Sequence, residues 1–303
     1  MSFQPSGIFV PLVTPFTAEG ELASADLERL AHEVLSDGAA GIVALGTTAE
    51  PATLSLQERR EVVRICSKVC RERGVPLLVG AGANDTAGTI RAIEALHTEA
   101  DVAAALVVVP YYTRPWQAGV VAHFEYVAER SPLPLILYNV PYRTGQELGW
   151  QSIVRLAQHP RIVGIKQAVG SLDTDTARLL AEPADSFALL AGEDALASPL
   201  LAMGAAGAIL ATANVCAGAF AELFELWRGQ RLSEARTLGN NLVAPACALM
   251  SEPNPTMIKA VLHAEGRISS PHVRLPLLAV TDRAAVAAAL HHVRALDADL
   301  VRA

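Results

Sequence analysis

Lys166 closes an apolar run, Ile162-Val163-Gly164-Ile165-Lys166. Short runs of this kind read as strands buried on both faces. An ammonium group is almost never buried without a partner, so the position calls for a reason. Either the side chain reaches the rim of the sheet or pairs with a carboxylate, or a partly desolvated amine serves as a nucleophile toward a carbonyl. Four other apolar runs end in groups of related chemistry. They are followed by Gly46-Thr47-Thr48-Ala49-Glu50, by Pro110-Tyr111-Tyr112, by Tyr138-Asn139-Val140-Pro141-Tyr142-Arg143-Thr144-Gly145 and by Gly192-Glu193-Asp194. An attacking amine must be deprotonated, and water must then leave the carbinolamine with the help of proton carriers. Hydroxyls and phenols donate and accept together, so Thr47, Tyr112 and Tyr138 suit such a relay. Any one of them could equally tie down a loop. Histidine and cysteine are missing from the set, which argues against a metal centre or a Cys/His nucleophile there.

The elements that must position these groups recur regularly. Strand-like runs occupy residues 7–13, 41–45, 76–79, 102–109, 134–138, 162–166, 187–191 and 207–211, and helical patterns such as 25–36 and 56–71 lie between them. Alternation of strand and helix implies a parallel sheet, and eight such units predict an α/β fold of the (β/α)8 TIM-barrel type. In such barrels chemistry sits at the C-terminal ends of the strands. The competing fold is an open doubly wound sheet. Its glycine fingerprint begins at Gly80-Ala81-Gly82 but fails at the last glycine. After Trp227 the strand pattern stops, and helical periodicity continues over residues 232–247, Thr256–Ala264 and 284–300. The expected division is a barrel carrying the active site over 1–228 and a C-terminal helical region over 229–303.

Composition narrows the setting. Apolar residues make up 51% of the 303 residues and charged residues 18%, enough for a large core and too ordered a mixture for disorder. A net charge of −7 without any block of Lys or Arg argues against nucleic acid as a partner. Cys66 and Cys70 fall four apart in a helical pattern and read as small apolar residues. Residues 195–221 carry no charge, but Pro199, Asn214 and several glycines interrupt them. They read as helix, buried strand and helix rather than a membrane span. No basic segment opens the chain, so a cytoplasmic enzyme is expected. His291-His292 is expected on a solvated helix face.

Thr47-Thr48-x-Glu50, Tyr138-Asn139-Val140-Pro141 and Gly164-Ile165-Lys166 together resemble the signature of the pyruvate-dependent class I aldolases. This is the family of dihydrodipicolinate synthase and N-acetylneuraminate lyase, and the similarity runs from Gly7 to about Leu290. The resemblance implies that Lys166 forms a Schiff base with pyruvate and that Tyr138 shuttles protons at that centre. It implies that Thr47 links Tyr138 to Tyr112, the latter supplied by a neighbouring subunit of a tight dimer. Thr48 would bond the pyruvate carboxylate, with Gly192 and Ile209 lining the pocket. Arg143 would receive the carboxylate of L-aspartate 4-semialdehyde, a task suited to its planar fork. Sugar-acid lyases of the family generally lack that arginine. The implied reaction condenses the two substrates to 4-hydroxy-tetrahydrodipicolinate, on the route to diaminopimelate and lysine, in a homotetramer built as a dimer of tight dimers. No metal or organic cofactor is implied. The alternatives are a related aldolase or lyase acting on a sugar acid or another 2-keto acid, and an inactive homologue that binds a small acid.

Several positions depart from the family pattern. Ala49 stands where glycine is usual, which would place a methyl group on a bend that tolerates positive φ. Gln167 replaces a common glutamate and would remove a charge beside Lys166. Glu193 replaces an aspartate. At the family's lysine feedback site Asn84 and Tyr111 match, whereas Pro51, Leu56, Arg59 and Gly88 replace a serine, two histidines and a glutamate. Weak or absent inhibition by L-lysine is therefore expected.

Overall fold

The computed structural model describes residues 3–182 and 186–302. Each of the eight apolar runs forms a strand: β1 (Gly7–Pro11), β2 (Gly41–Ala44), β3 (Leu77–Gly80), β4 (Ala104–Val108), β5 (Leu135–Asn139), β6 (Ile162–Gln167), β7 (Ala188–Ala191) and β8 (Gly207–Ile209). They pair in parallel and in chain order, and β8 closes back onto β1. The closed barrel excludes the open-sheet alternative. Intervening helices include α1 (Ser24–Ser36), α2 (Leu56–Arg73), α3 (Thr86–Glu99), α4 (Gln117–Arg130), α5 (Pro141–Thr144), α6 (Trp150–Leu156), α7 (Thr174–Ala181), α8 (Ala197–Ala202) and α9 (Ala213–Arg228). Local chemistry explains their ends. Ser55 Oγ accepts from the Glu58 N–H, while the Glu58 carboxylate accepts from the Ser55 N–H, a capping box that starts α2.

The charge-free stretch 195–221 contributes α8, β8 and the first half of α9, and no helix among the described residues is long and apolar enough to cross a membrane. Three further helices follow: α10 (Leu232–Leu249), α11 (Thr256–Ala264) and α12 (Arg283–Arg302). Leu238, Leu242 and Leu249 of α10 and Ile258 and Val261 of α11 belong to the same core as Leu27 and Leu30 of α1. The tail therefore packs into the outer layer of the barrel. Cys66 and Cys70 are buried in that layer, and burial raises both thiols, Cys70 to about 12. His291 and His292 are exposed.

Two cores result from the barrel geometry. The larger lies between strands and helices; the smaller fills the barrel with Phe9, Val43, Leu78, Leu106, Ile136 and Tyr138, among others. Side chains alternate between these two along β5, with Leu135 and Leu137 outward and Ile136 and Tyr138 inward. On β6 the alternation is broken. Leu135 pairs with Ile162, but Ile136 pairs with Gly164, so Val163 is an extra residue. Such a bulge re-aims every residue after it. Beyond it Leu137 pairs with Ile165 and Tyr138 with Lys166, which brings Lys166 to the interior beside Tyr138. Without the extra residue Lys166 would fall opposite Asn139 and face the helices. Gly164 permits the bulge, because a Cβ there would lie 2.6 Å from the carbonyl oxygen of Ala188 on β7. We predict that Gly164→Ala lowers stability by roughly 1–3 kcal/mol, the usual cost of overpacking. Chemical denaturation should show that loss, and catalytic turnover should fall with it.

Candidate active site

Lys166 and Tyr138 are both 7% exposed at the C-terminal ends of β6 and β5. The Lys166 amine lies 4.6 Å from the centroid of the Tyr138 ring. The chain has three lysines, and their surroundings differ. Lys68 pairs on the surface with Glu28 at 2.5 Å. Lys259 pairs in the interior with Glu50 at 2.5 Å. Lys166 has no carboxylate within ion-pair distance and no hydrogen bond among the described residues.

The turn after β2 brings Thr47 and Thr48 to the same end of the barrel. Thr48 is buried, and its hydroxyl oxygen accepts from Asn254 Nδ2 at 3.1 Å. Glu50 closes this turn with φ of 53°, a left-handed conformation that costs an ordinary residue about 1–2 kcal/mol. Its carboxylate is locked from two directions. Lys259 of α11 supplies the ammonium, which also donates to the His272 carbonyl at 2.9 Å, and the Arg274 N–H donates to Glu50 Oε2 at 3.0 Å. The Lys259 amine and the Arg274 guanidinium sit 4.1 and 4.2 Å from the centroid of the Phe16 ring. Burial pulls the Lys259 amine down to about 8 against the opposing effect of Glu50. Left-handed backbone in this region falls at Leu45 and Glu50 and not at Ala49. The methyl group of Ala49 therefore meets no strained bend, contrary to expectation.

On the opposite side of the mouth, α5 carries Arg143. Its Nε donates to Tyr142 Oη at 2.8 Å, and its guanidinium is exposed. The loop beyond is pinned from beneath by Asn139, whose side chain accepts from the Leu148 N–H at 3.0 Å and donates to the Leu148 carbonyl at 3.2 Å. Gln167 supports this arrangement. It accepts from Asn139 Nδ2 at 3.1 Å and donates to Thr176 Oγ1 of α7 at 3.1 Å. Gln167 thus lies on the outer face of β6, away from the Lys166 amine. The expectation that it removes a charge beside Lys166 is corrected by this geometry, since successive strand residues face opposite ways.

At the end of β7, the Gly192 N–H donates to the Gln167 carbonyl at 2.8 Å, and a Cβ on Gly192 would lie 2.7 Å from that of Ala168. Ile209 is fully buried in the interior core with Tyr138. Asp194 accepts from both the N–H and the hydroxyl of Thr212 at 2.6 Å, which ties the ends of β7 and β8 together. Burial raises its carboxyl. Burial also raises the carboxyl of Glu193, with a further push from Asp194, while Lys166 and Arg143 pull it down. Glu193 therefore shares the electrostatic field of both cations. Tyr112 stands apart. It is 88% exposed, at φ of 67°, and no hydrogen bond among the described residues joins Thr47 to Tyr138 or to Tyr112. Within one chain, Tyr112 does not enter the mouth that the other strand ends form.

Residues 4–292 match the dihydrodipicolinate synthetase family. The chain belongs to that family. It is 37% identical over 289 residues to the 4-hydroxy-tetrahydrodipicolinate synthase of Escherichia coli O139:H28, covering 95% of this chain and 98% of that one. Among solved structures, the 4-hydroxy-tetrahydrodipicolinate synthase from Methylacidiphilum fumariolicum SolV superposes with a TM-score of 0.92 at 32% identity, over 99% of both chains. The chloride-inhibited dihydrodipicolinate synthase from Acinetobacter baumannii, complexed with pyruvate, gives a TM-score of 0.91 at 36% identity, over 95% of this chain and 99% of that one.

For this dihydrodipicolinate synthetase family chain, sequence reasoning misses the supporting groups more than the candidates themselves. Lys259 carries the same signal as Lys166, a lone lysine in an apolar run (Thr256-Met257-Ile258-Lys259-Ala260-Val261), yet it lies in the tail and draws no attention. Its partner, 209 residues away, is invisible to any local pattern. Breaking one side of a buried ion pair leaves an uncompensated charge, which costs about 3–5 kcal/mol. Lys259→Met should therefore lower the unfolding free energy read by chemical denaturation by that much, and Glu50→Gln in the same chain should recover a large part of it.

Proposed function

We propose that this protein is a lyase, a Schiff-base aldolase that condenses pyruvate with L-aspartate 4-semialdehyde to 4-hydroxy-tetrahydrodipicolinate. One observation carries the reading: of two buried lysines, Lys259 is ion-paired, whereas Lys166 has no ion pair among the described residues and lies with its amine 4.6 Å from the centroid of the Tyr138 ring. The names of the relatives and the pyruvate complex of one of them support the choice of substrates.

The Lys166 amine attacks C2 of pyruvate, and the carbinolamine loses water to give the imine. Loss of a C3 proton converts it to an enamine, whose C3 attacks the aldehyde carbon of the second substrate. The amino group of that substrate then displaces Lys166 from the imine carbon, which closes the ring and frees the enzyme. One carbon–carbon bond forms and one water leaves. Tyr138 moves the protons, in a relay with Thr47 and with Tyr112 of a second copy of the chain. The exposure of Tyr112 supports a role outside its own mouth. Thr48 holds the pyruvate carboxylate, Gly192 and Ile209 line the pocket, and the free edge of the Arg143 fork takes the carboxylate of the aldehyde. The assembly proposed is a homotetramer, a dimer of tight dimers, in the cytoplasm.

L-lysine is proposed to be a weak inhibitor or none. Arg59 is folded onto the Pro51 carbonyl at 2.7 Å, Gly88 brings no carboxylate of its own, and the neighbouring Asp85 carboxylate is engaged by the Gly88 N–H at 2.6 Å. A coupled assay with pyruvate and aspartate semialdehyde tests both points. Wild type should turn over and resist millimolar L-lysine, while Arg143→Ala should lose about 10²-fold in kcat/KM, the scale of a lost charge-assisted anchor. An unchanged rate in Arg143→Ala would point instead to a sugar acid or another 2-keto acid.

A further inference from the structure

We propose that Asn254 is a positioning residue that makes the Thr48 hydroxyl a dedicated hydrogen-bond donor to the carboxylate of pyruvate. The inference rests on the reading above, in which Thr48 meets that carboxylate. Asn254 lies in the tail, between α10 and α11, 206 residues from Thr48 in sequence. Its Nδ2 donates to Thr48 Oγ1 at 3.1 Å. A hydroxyl has a single proton and can accept through its lone pairs. With its oxygen turned to an incoming N–H, its own proton points away from the amide. A carboxylate can only accept, so a hydroxyl held this way is matched to it before it arrives. The bond it then makes is charge-assisted, and the donor behind it strengthens it further.

A second observation points the same way. Asn254 Oδ1 is buried and has no hydrogen-bond partner among the described residues. Unpaired buried acceptors are rare because they carry a standing cost, and they concentrate where a site needs them. A residue that served only to fasten the tail would be expected to satisfy both ends of its amide. Here the nitrogen is kept on Thr48 at the expense of the oxygen.

The placement of Asn254 is also fixed in depth. The Thr256 hydroxyl donates to the Pro253 carbonyl at 2.8 Å, closing the turn around Asn254, and α11 then delivers Lys259 to Glu50 at 2.5 Å. Two contacts, Asn254–Thr48 and Lys259–Glu50, thus join the same tail segment to the same strand-end turn. The ion pair sets the distance, and the amide sets the direction of one proton.

The test is the pyruvate concentration that half-saturates borohydride trapping, read as adduct by intact mass. It requires wild type, Asn254→Ala, Asn254→Asp, Thr48→Val and the Thr48→Val/Asn254→Ala double variant. Asn254→Ala should raise the half-saturating concentration about 10-fold, in keeping with a hydrogen bond to a charged group. Asn254→Asp has the same shape but accepts the Thr48 proton and adds a negative charge, so it should raise it further, to about 100-fold. Adding Asn254→Ala to Thr48→Val should change nothing more, because Asn254 acts through Thr48. Thermal unfolding of each variant, followed in parallel, separates this from a structural role, which would lower the midpoint and leave half-saturation where it is. The inference is overturned if both Asn254 variants saturate like wild type, or if the two sites prove additive. Absence of any adduct in wild type would instead overturn the Schiff-base reading itself.

Discussion

The face on which a strand residue lies is a matter of register, and in β6 a single extra residue decides it. Val163 has no counterpart on β5, so Lys166 comes level with Tyr138 rather than Asn139. The consequences extend in both directions through the barrel wall. Lys166 and Ala168 turn inward, while Gln167 turns outward, where it fastens the loop that carries Arg143 to α7. One bulge, allowed by the missing side chain of Gly164, thereby sets both the inward position of the Lys166 amine and the support of the loop beyond Arg143.

The two buried lysines show how the barrel and its tail divide the electrostatic work. Lys259 has met the ordinary requirement of a buried ammonium, a carboxylate with further hydrogen bonds around it. Its pairing with Glu50 holds a left-handed turn in place and presents Thr48 to the mouth. Lys166 sits instead on the ring of Tyr138, with the acids Glu193 and Asp194 near enough to be felt and too far to form an ion pair. The tail is thus part of the mouth, although it contributes no strand to the barrel.

Much of this was legible in the sequence. Eight apolar runs at regular intervals carry the barrel, because parallel strands covered on both faces must be apolar throughout. The groups at their ends, Thr47, Thr48, Tyr138, Arg143, Lys166 and Gly192, follow from that placement. What could not be read falls into three physical kinds. The bulge is a property of pairing between strands, and the run from Ile162 to Lys166 looks the same with or without it. The contacts of Glu50 with Lys259 and of Thr48 with Asn254 span more than two hundred residues, beyond any local pattern. The exposure of Tyr112 depends on how the loop after β4 turns outward, and its strand-end position alone suggested the opposite. Lys166 and Lys259 make the limit plain: the same local signal led to opposite fates, decided by what each meets in space.

Lys166, alone among the three lysines, is placed to form a covalent bond with pyruvate in the function proposed above. Reduction of the protein with borohydride in the presence of pyruvate, followed by peptide mapping, tests it directly. A reduced pyruvate adduct is expected on the peptide containing Lys166, with Lys68 and Lys259 unmodified. An adduct on either of those two, or none at all, would contradict it.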